Sequence, residues 1–201
     1  MSRQILNQQN RLRTLMCALV FTLILSAASC GGSLYKVKPI IAAPVADGAA
    51  GASAGGINVR AVPVLIDEES QELFESNLLL AGLLPVRVEI SNQSGAALDL
   101  KKNRFLVSDA DGREWKARSA KQTVARILKA NDVYLYNPQS RAKFEEEFRA
   151  QALDTETPLG AGEQRRGFIF FQTPKNEAVS SPRGLTLSIE KLPQPLTLRL
   201  N

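Results

Sequence analysis

The chain has no histidine among its 201 residues. That removes at once the commonest general base, the usual partner of a serine nucleophile and the commonest metal ligand. Ser-His-Asp catalysis and histidine-bearing zinc sites are excluded. Cysteine is nearly as scarce, with only Cys17 and Cys30 present. Aromatic residues make up 6% of the chain, and Trp115 is the one tryptophan. No basic run carries interleaved aromatics, so no nucleic-acid partner is expected. A long apolar run is also missing. The uncharged stretch from Thr14 to Tyr35 is greasy only over Leu15 to Leu25, well short of the roughly 20 apolar residues a spanning helix needs.

Acidic residues are absent from the first 29 positions, which hold Arg3, Arg11 and Arg13. Without those three arginines, 22 basic residues face 20 acidic ones, so the formal charge of +5 falls to +2. The high isoelectric point therefore belongs largely to the leader and not to the rest of the chain.

The leader has three parts: a basic start, a short apolar middle and small residues at Ala27, Ala28 and Ser29. This is the layout of a bacterial export signal. Leu25-Ser-Ala-Ala-Ser-Cys30-Gly-Gly32 resembles the lipobox of bacterial lipoproteins. The resemblance implies that residues 1–29 are removed and that Cys30 is acylated, with palmitate-type chains, as the new N-terminus. Two or more chains hold a protein stably on a bilayer, whereas one does so only marginally. Gly31 follows the cysteine where inner-membrane retention in enteric-type bacteria uses Asp, so the resemblance implies outer-membrane sorting. Two other readings stay open: ordinary cleavage after Ser29 with release of the chain, or a retained leader. Because Cys17 lies in the leader, the processed chain has one cysteine and no internal disulfide.

Residues 30–56 read as the lipidated N-terminus and a flexible linker. The stretch from Ala46 to Gly56 is almost entirely Gly, Ala and Ser, too little apolar surface to offset chain entropy. From Ile57 the texture changes to short apolar segments between turns, enough for one domain over 57–201. An extended segment from Ile57 to Ile66 contains Pro63, which points to a sheet edge. A helix is predicted over Glu68 to Ala81, capped by Asp67 and ended by Gly82. Pro85 to Ser91 alternates strictly, with Val86, Val88 and Ile90 on one face. Ala97 to Leu100 resumes an extended path, and Phe105 to Ala117 reads as a hairpin turning at Gly112. Helices are predicted over Ala120 to Ala130 and from Asn137-Pro138 to about Leu153. Strands return at Arg166 to Gln172, Leu185 to Glu190 and Leu196 to Leu200. The fold class expected is mainly β: an antiparallel immunoglobulin-like sandwich of about eight strands with a helical insertion near 119–157.

Three segments carry a further resemblance: Leu84 to Asn92, Phe105 to Arg113, and Leu159 to Phe171 with its Gly-Phe-Ile-Phe-Phe ending. Their order resembles the telokin-like, immunoglobulin-fold domains of many exported bacterial lipoproteins. That family implies no defined catalytic activity.

Candidate chemistry is sparse. Ser140-Arg-Ala-Lys143 matches the Ser-x-x-Lys pattern of penicillin-binding enzymes, but neither Lys-Thr-Gly nor Ser-Asp-Asn accompanies it. Asp109, Asp111 and Glu114 offer oxygens to calcium, yet their spacing suits a hairpin turn better. Glu145 to Glu147 among Arg141, Lys143 and Arg149 reads as a solvated helix face. Phe144 and Phe148 are its buried side, with docking of a ligand or partner as the alternative. Trp115 divides between core packing and exposed recognition. No cofactor and no metal is expected. The expected role is a non-enzymatic binding or assembly module of the cell envelope, held to the membrane by Cys30 and contacting an envelope protein. The alternative is a carrier or chaperone-like module with an apolar ligand under the helical insertion.

Overall fold

A computed structural model describes residues 49–133 and 137–201, together with Val37 and Val45. The leader, Cys30, most of the linker and the apolar run Tyr134 to Tyr136 lie outside the described residues.

Eight antiparallel strands form one sheet in the order β1-β2-β3-β6-β5-β4-β7-β8. They are β1 (Ala50–Ala54), β2 (Ile57–Pro63), β3 (Leu83–Asn92), β4 (Arg104–Ser108), β5 (Glu114–Arg118), β6 (Gln164–Gln172), β7 (Thr186–Glu190) and β8 (Leu196–Arg199). The two outer strands, β1 and β8, lie against each other, so the sheet curls into a sandwich closed nearly to a barrel. Its two layers stay joined through β5 and β6, where a minimal immunoglobulin sandwich keeps its sheets separate.

The alternation seen in β3 sets the register. Val86, Val88 and Ile90 point into the interior, where they meet Ile57 and Val59 of β2, Val107 of β4, Leu187 and Ile189 of β7 and Leu198 of β8. Arg87 and Glu89 point outward. Glu89 is nevertheless buried, because Arg166 across the strand pair and Arg60 on β2 both reach its carboxylate.

One strand differs from expectation. Ala50–Ala54 falls in the stretch assigned to the flexible linker, yet it pairs with β2 along its whole length, from Ala50↔Ala61 to Ala54↔Ile57. Gly55 and Gly56 join the two strands as a two-residue turn with φ of 56° and 78°. Both central residues positive is the geometry of the hairpin turn that Gly-Gly favours. Backbone ladder bonds hold β1, and Ala50, Ala52 and Ala54 pack against the core. Low apolar content did not prevent a strand from forming, because the edge of β2 offers a ready template. Pro63 lies beyond the last β1 pair, where no ladder bond is needed from its nitrogen. Residues 97–100 form no strand; Leu98 makes a single bridge to Leu159, and a short 3₁₀ turn follows over Leu100–Lys102.

Three helices cover the outer face of β6. Helix α1 (Asp67–Phe74) is shorter than expected, because Glu75 adopts the left-handed conformation at φ 48° and ends it. Asp67 is its first residue and not its cap. Leu78 and Ala81 still reach the core, from a run of turns that Ser70 Oγ braces by accepting from the Leu78 N–H. Helix α2 (Ala120–Ala130) starts with a reciprocal Ser119–Gln122 capping box. Helix α3 (Pro138–Gln151) starts at Asn137, whose side chain accepts from the Gln139 and Ser140 N–H groups.

Strand β6 serves two cores. Ile169 and Phe171 face the interior of the sandwich, while Phe168 and Phe170 face the helices. There they join Phe74, Phe144 and Phe148 in one aromatic cluster with ring centroids 5.0–6.2 Å apart. Such pairs contribute beyond their buried area when edge-on or offset.

Candidate functional site

The strand pattern leaves a gap at one end of the sandwich. β5 is short and serves two neighbours: residues 114–116 pair with β4, and residues 116–118 pair with β6. After Arg118 the chain turns into α2. The start of β4 and residues 168–169 of β6 are therefore left without a common neighbour. The segment leaving α3 fills part of this space, with Leu153 N–H donating to Phe168 O at 2.8 Å. That approach requires Gly167, where a Cβ would sit 2.4 Å from Leu153 N and Cα.

What remains is a cleft of about 1010 Å³ between β4, β5 and β6 on one side and the ends of α2 and α3 on the other. It is at the upper end of ligand-site sizes. Its floor is apolar: Phe105 and Ile169, 7% and 8% exposed, are among the least covered members of a core otherwise nearly sealed. Its walls are basic. Lys101, Lys102, Arg104, Lys116, Arg118, Lys121, Arg149 and Lys191 line it, against Asp154 and Glu156 alone of the acids.

These charges divide into two sets. Lys101 pairs with Glu156 at 2.6 Å across the mouth, Lys102 with Asp99 at 3.0 Å, and Arg104 with Glu190 at 3.6 Å. The Glu156 carboxylate pushes the Lys101 pKa up. Asp154 is committed to its own turn: a hydrogen bond from the Thr157 side chain, with the backbone N–H groups of Thr157 and Glu156 and the Arg165 charge, holds its pKa below the usual range. The other five cations, Lys116, Arg118, Lys121, Arg149 and Lys191, have no ion-pair partner among the described residues. Two buried polar atoms on the same walls, Arg118 Nε and Asn103 Oδ1, also lack hydrogen-bond partners. A chain carrying little net charge beyond its first 29 residues thus gathers unbalanced positive charge along this cleft, where low-dielectric walls strengthen its pull on anions.

The sequence singled out other residues. Phe144 and Phe148 are 0% exposed inside the aromatic cluster, and Trp115 is 4% exposed in the sandwich core, so none offers surface to a partner. The space under the helices is filled by Phe74, Phe168 and Phe170. Trp115 Nε1 donates to Asp109 Oδ2 at 3.2 Å. The Asp109 carboxylate also accepts from Arg113 Nε and from the Asp111 and Arg113 N–H groups. Burial alone would raise its pKa, but the backbone and side-chain bonds from Arg113 and the bond from Trp115 outweigh it, and the net shift is downward. Asp109 thus organises the hairpin turn. Ser140 and Lys143 lie on α3, away from the cleft lining. Among the described residues no cluster of three or more acidic or thiol side chains is placed to hold a metal, and no helix is long and apolar enough to cross a membrane.

The cleft has no contiguous signature in the sequence, because its cations come from four separate segments, residues 101–104, 116–121, 149 and 191. A partial signal exists: Lys116, Arg118 and Lys121 fall at the strand-to-helix junction, close enough in the chain to line one cavity.

No family model matches the chain, and no curated protein matches it. Among solved structures it is similar to an uncharacterized β-sandwich protein from Clostridium difficile 630. The match covers 75% of this chain and 89% of that one, at 9% identity and a TM-score of 0.35.

Proposed function

We propose that this protein is a lipid-anchored bacterial envelope lipoprotein that works by binding and not by catalysis, with the cationic cleft as its binding site. The observation that carries the binding role is the set of five unpaired cations on an apolar floor. Such an arrangement attracts and holds an anion. The one serine of the lining, Ser119, is committed to the cap of α2. The leader and the lipobox-like Cys30 supply the anchoring part of the reading, and Gly31 supplies the outer-membrane assignment. The folded body then sits within a short linker's reach of a bilayer, in the periplasm or at the surface.

Fractionation of cells that express the wild-type or the Cys30→Ser chain tests the anchor. The wild type is expected with membranes and the variant away from them. Equal membrane recovery of both chains would rule out the acyl anchor.

A further inference from the structure

We propose that the cleft binds an anionic phospholipid, with its phosphate held by the basic walls and its acyl portion over the apolar floor. The inference rests on the reading of the protein as a membrane-tethered binding module, and it names the ligand.

Charge complementarity points to the class. Lys116, Arg118, Lys121, Arg149 and Lys191 surround the opening without carboxylate partners among the described residues. Arg118 Nε is buried with its N–H unused. A buried donor with no acceptor costs free energy, and the Arg118 guanidinium adds its positive charge to the lining. The N-terminal turn of α2 opens on the same cleft through Ser119, Ala120 and Lys121, and the positive end of the helix dipole adds to the field.

The floor separates this ligand from a purely ionic one. Phe105, Leu106 and Ile169 keep some exposure and line the cleft, and Ala120 and Leu153 border it. An inorganic phosphate or an acidic peptide would leave that apolar surface wet. The tether keeps the opening where phospholipid is abundant, so weak affinity is sufficient for occupancy.

Titration of the purified full-length chain in neutral detergent tests the proposal. The probes are a short-chain phosphatidylglycerol, the matching phosphatidylcholine, inorganic phosphate and a polyglutamate peptide. Phosphatidylglycerol is expected to bind at least about tenfold tighter than the other three. The triple variant Lys116→Gln/Lys121→Gln/Arg149→Gln should lose at least about tenfold of that affinity. All three side chains are exposed, so the fold should persist, as circular dichroism would verify. A control variant, Lys175→Gln/Arg199→Gln, lies outside the cleft and should bind like wild type. Inorganic phosphate or polyglutamate binding as tightly as phosphatidylglycerol would overturn the proposal, as would equal binding of the two phospholipids or wild-type affinity in the triple variant. The Cys30→Ser chain retains the cleft. Phosphatidylglycerol binding that persists in it, with fractionation unchanged, would sink the anchor and leave the cleft ligand standing.

Discussion

Two buried polar side chains fix turns that the hydrophobic pattern alone would leave loose. Asn92 is fully buried at the end of β3, and its Nδ2 reaches the carbonyls of Ala96, Leu159 and Gly160, while its Oδ1 accepts from Ser94. It ties the β3 exit to the approach to β6. Replacing it by alanine leaves buried carbonyls without that donor, and a loss of about 1–3 kcal/mol is expected in denaturant unfolding. Asp109 acts in the same way for the β4–β5 hairpin. Its pKa is lowered by folding, so its stabilisation is present in full above the unfolded carboxylate value of about 3.9 and is lost as pH falls through the lower folded value. Asp109→Asn should therefore be less stable near neutrality and show a shallower loss of stability below about pH 4. Trp115, the single tryptophan and a direct partner of Asp109, reports this unfolding by fluorescence. An unchanged acid profile in the variant would remove Asp109 from the acid-sensitive set. The roles of the two residues were unequally legible. The turn chemistry of Asp109 and Gly112 is local and can be read in order along the chain. The acceptors of Asn92 include residues 67 and 68 positions away, and no local rule reaches them.

At the scale of elements, β6 is the shared wall between the sandwich and its helical cover. Phe148 on α3 packs against both Phe74 and Phe170, and Phe148→Ala is expected to cost about 3–5 kcal/mol. Gly167 admits the backbone of residues 152–153 against the strand. Gly167→Ala forces that segment away and should cost about 1–3 kcal/mol. It should also weaken amide protection at Leu153, whose N–H bonds to Phe168 O, in hydrogen exchange. Protection at Leu153 equal to wild type would contradict the role given to Gly167. Strands with strict alternation, such as β3, and helices with an apolar face, such as α2, or a cap-and-proline start, such as α3, were readable because their signals lie within one window. β1 was not readable from composition. Its Gly-Ala-Ser content argues against order when taken alone, and only the Gly55-Gly56 turn in front of a strong strand marks it as a hairpin arm. Helix α1 was overextended for a related reason: Leu78 and Ala81 continue the helical spacing of Phe74, but they reach the same core through turns.

The whole molecule joins two features that were legible to different degrees. The leader-like pattern and Cys30 stand out in the sequence because the resemblance to an export signal is carried by one contiguous stretch, although it lies outside the described residues. The cleft exists only in three dimensions, where a short β5 leaves β4 and β6 apart and gathers cations from four segments. In the function proposed above, the two would combine as a binding body held beside a bilayer, with the cationic cleft available to anionic lipid. The proposed acylation of Cys30 is the feature on which this arrangement depends most. Intact-mass spectrometry of the protein extracted from native envelopes measures it directly. A chain beginning at Cys30 and carrying the added mass of its acyl groups is expected. A mass matching an unmodified thiol at Cys30, or one that still includes residues 1–29, would contradict it.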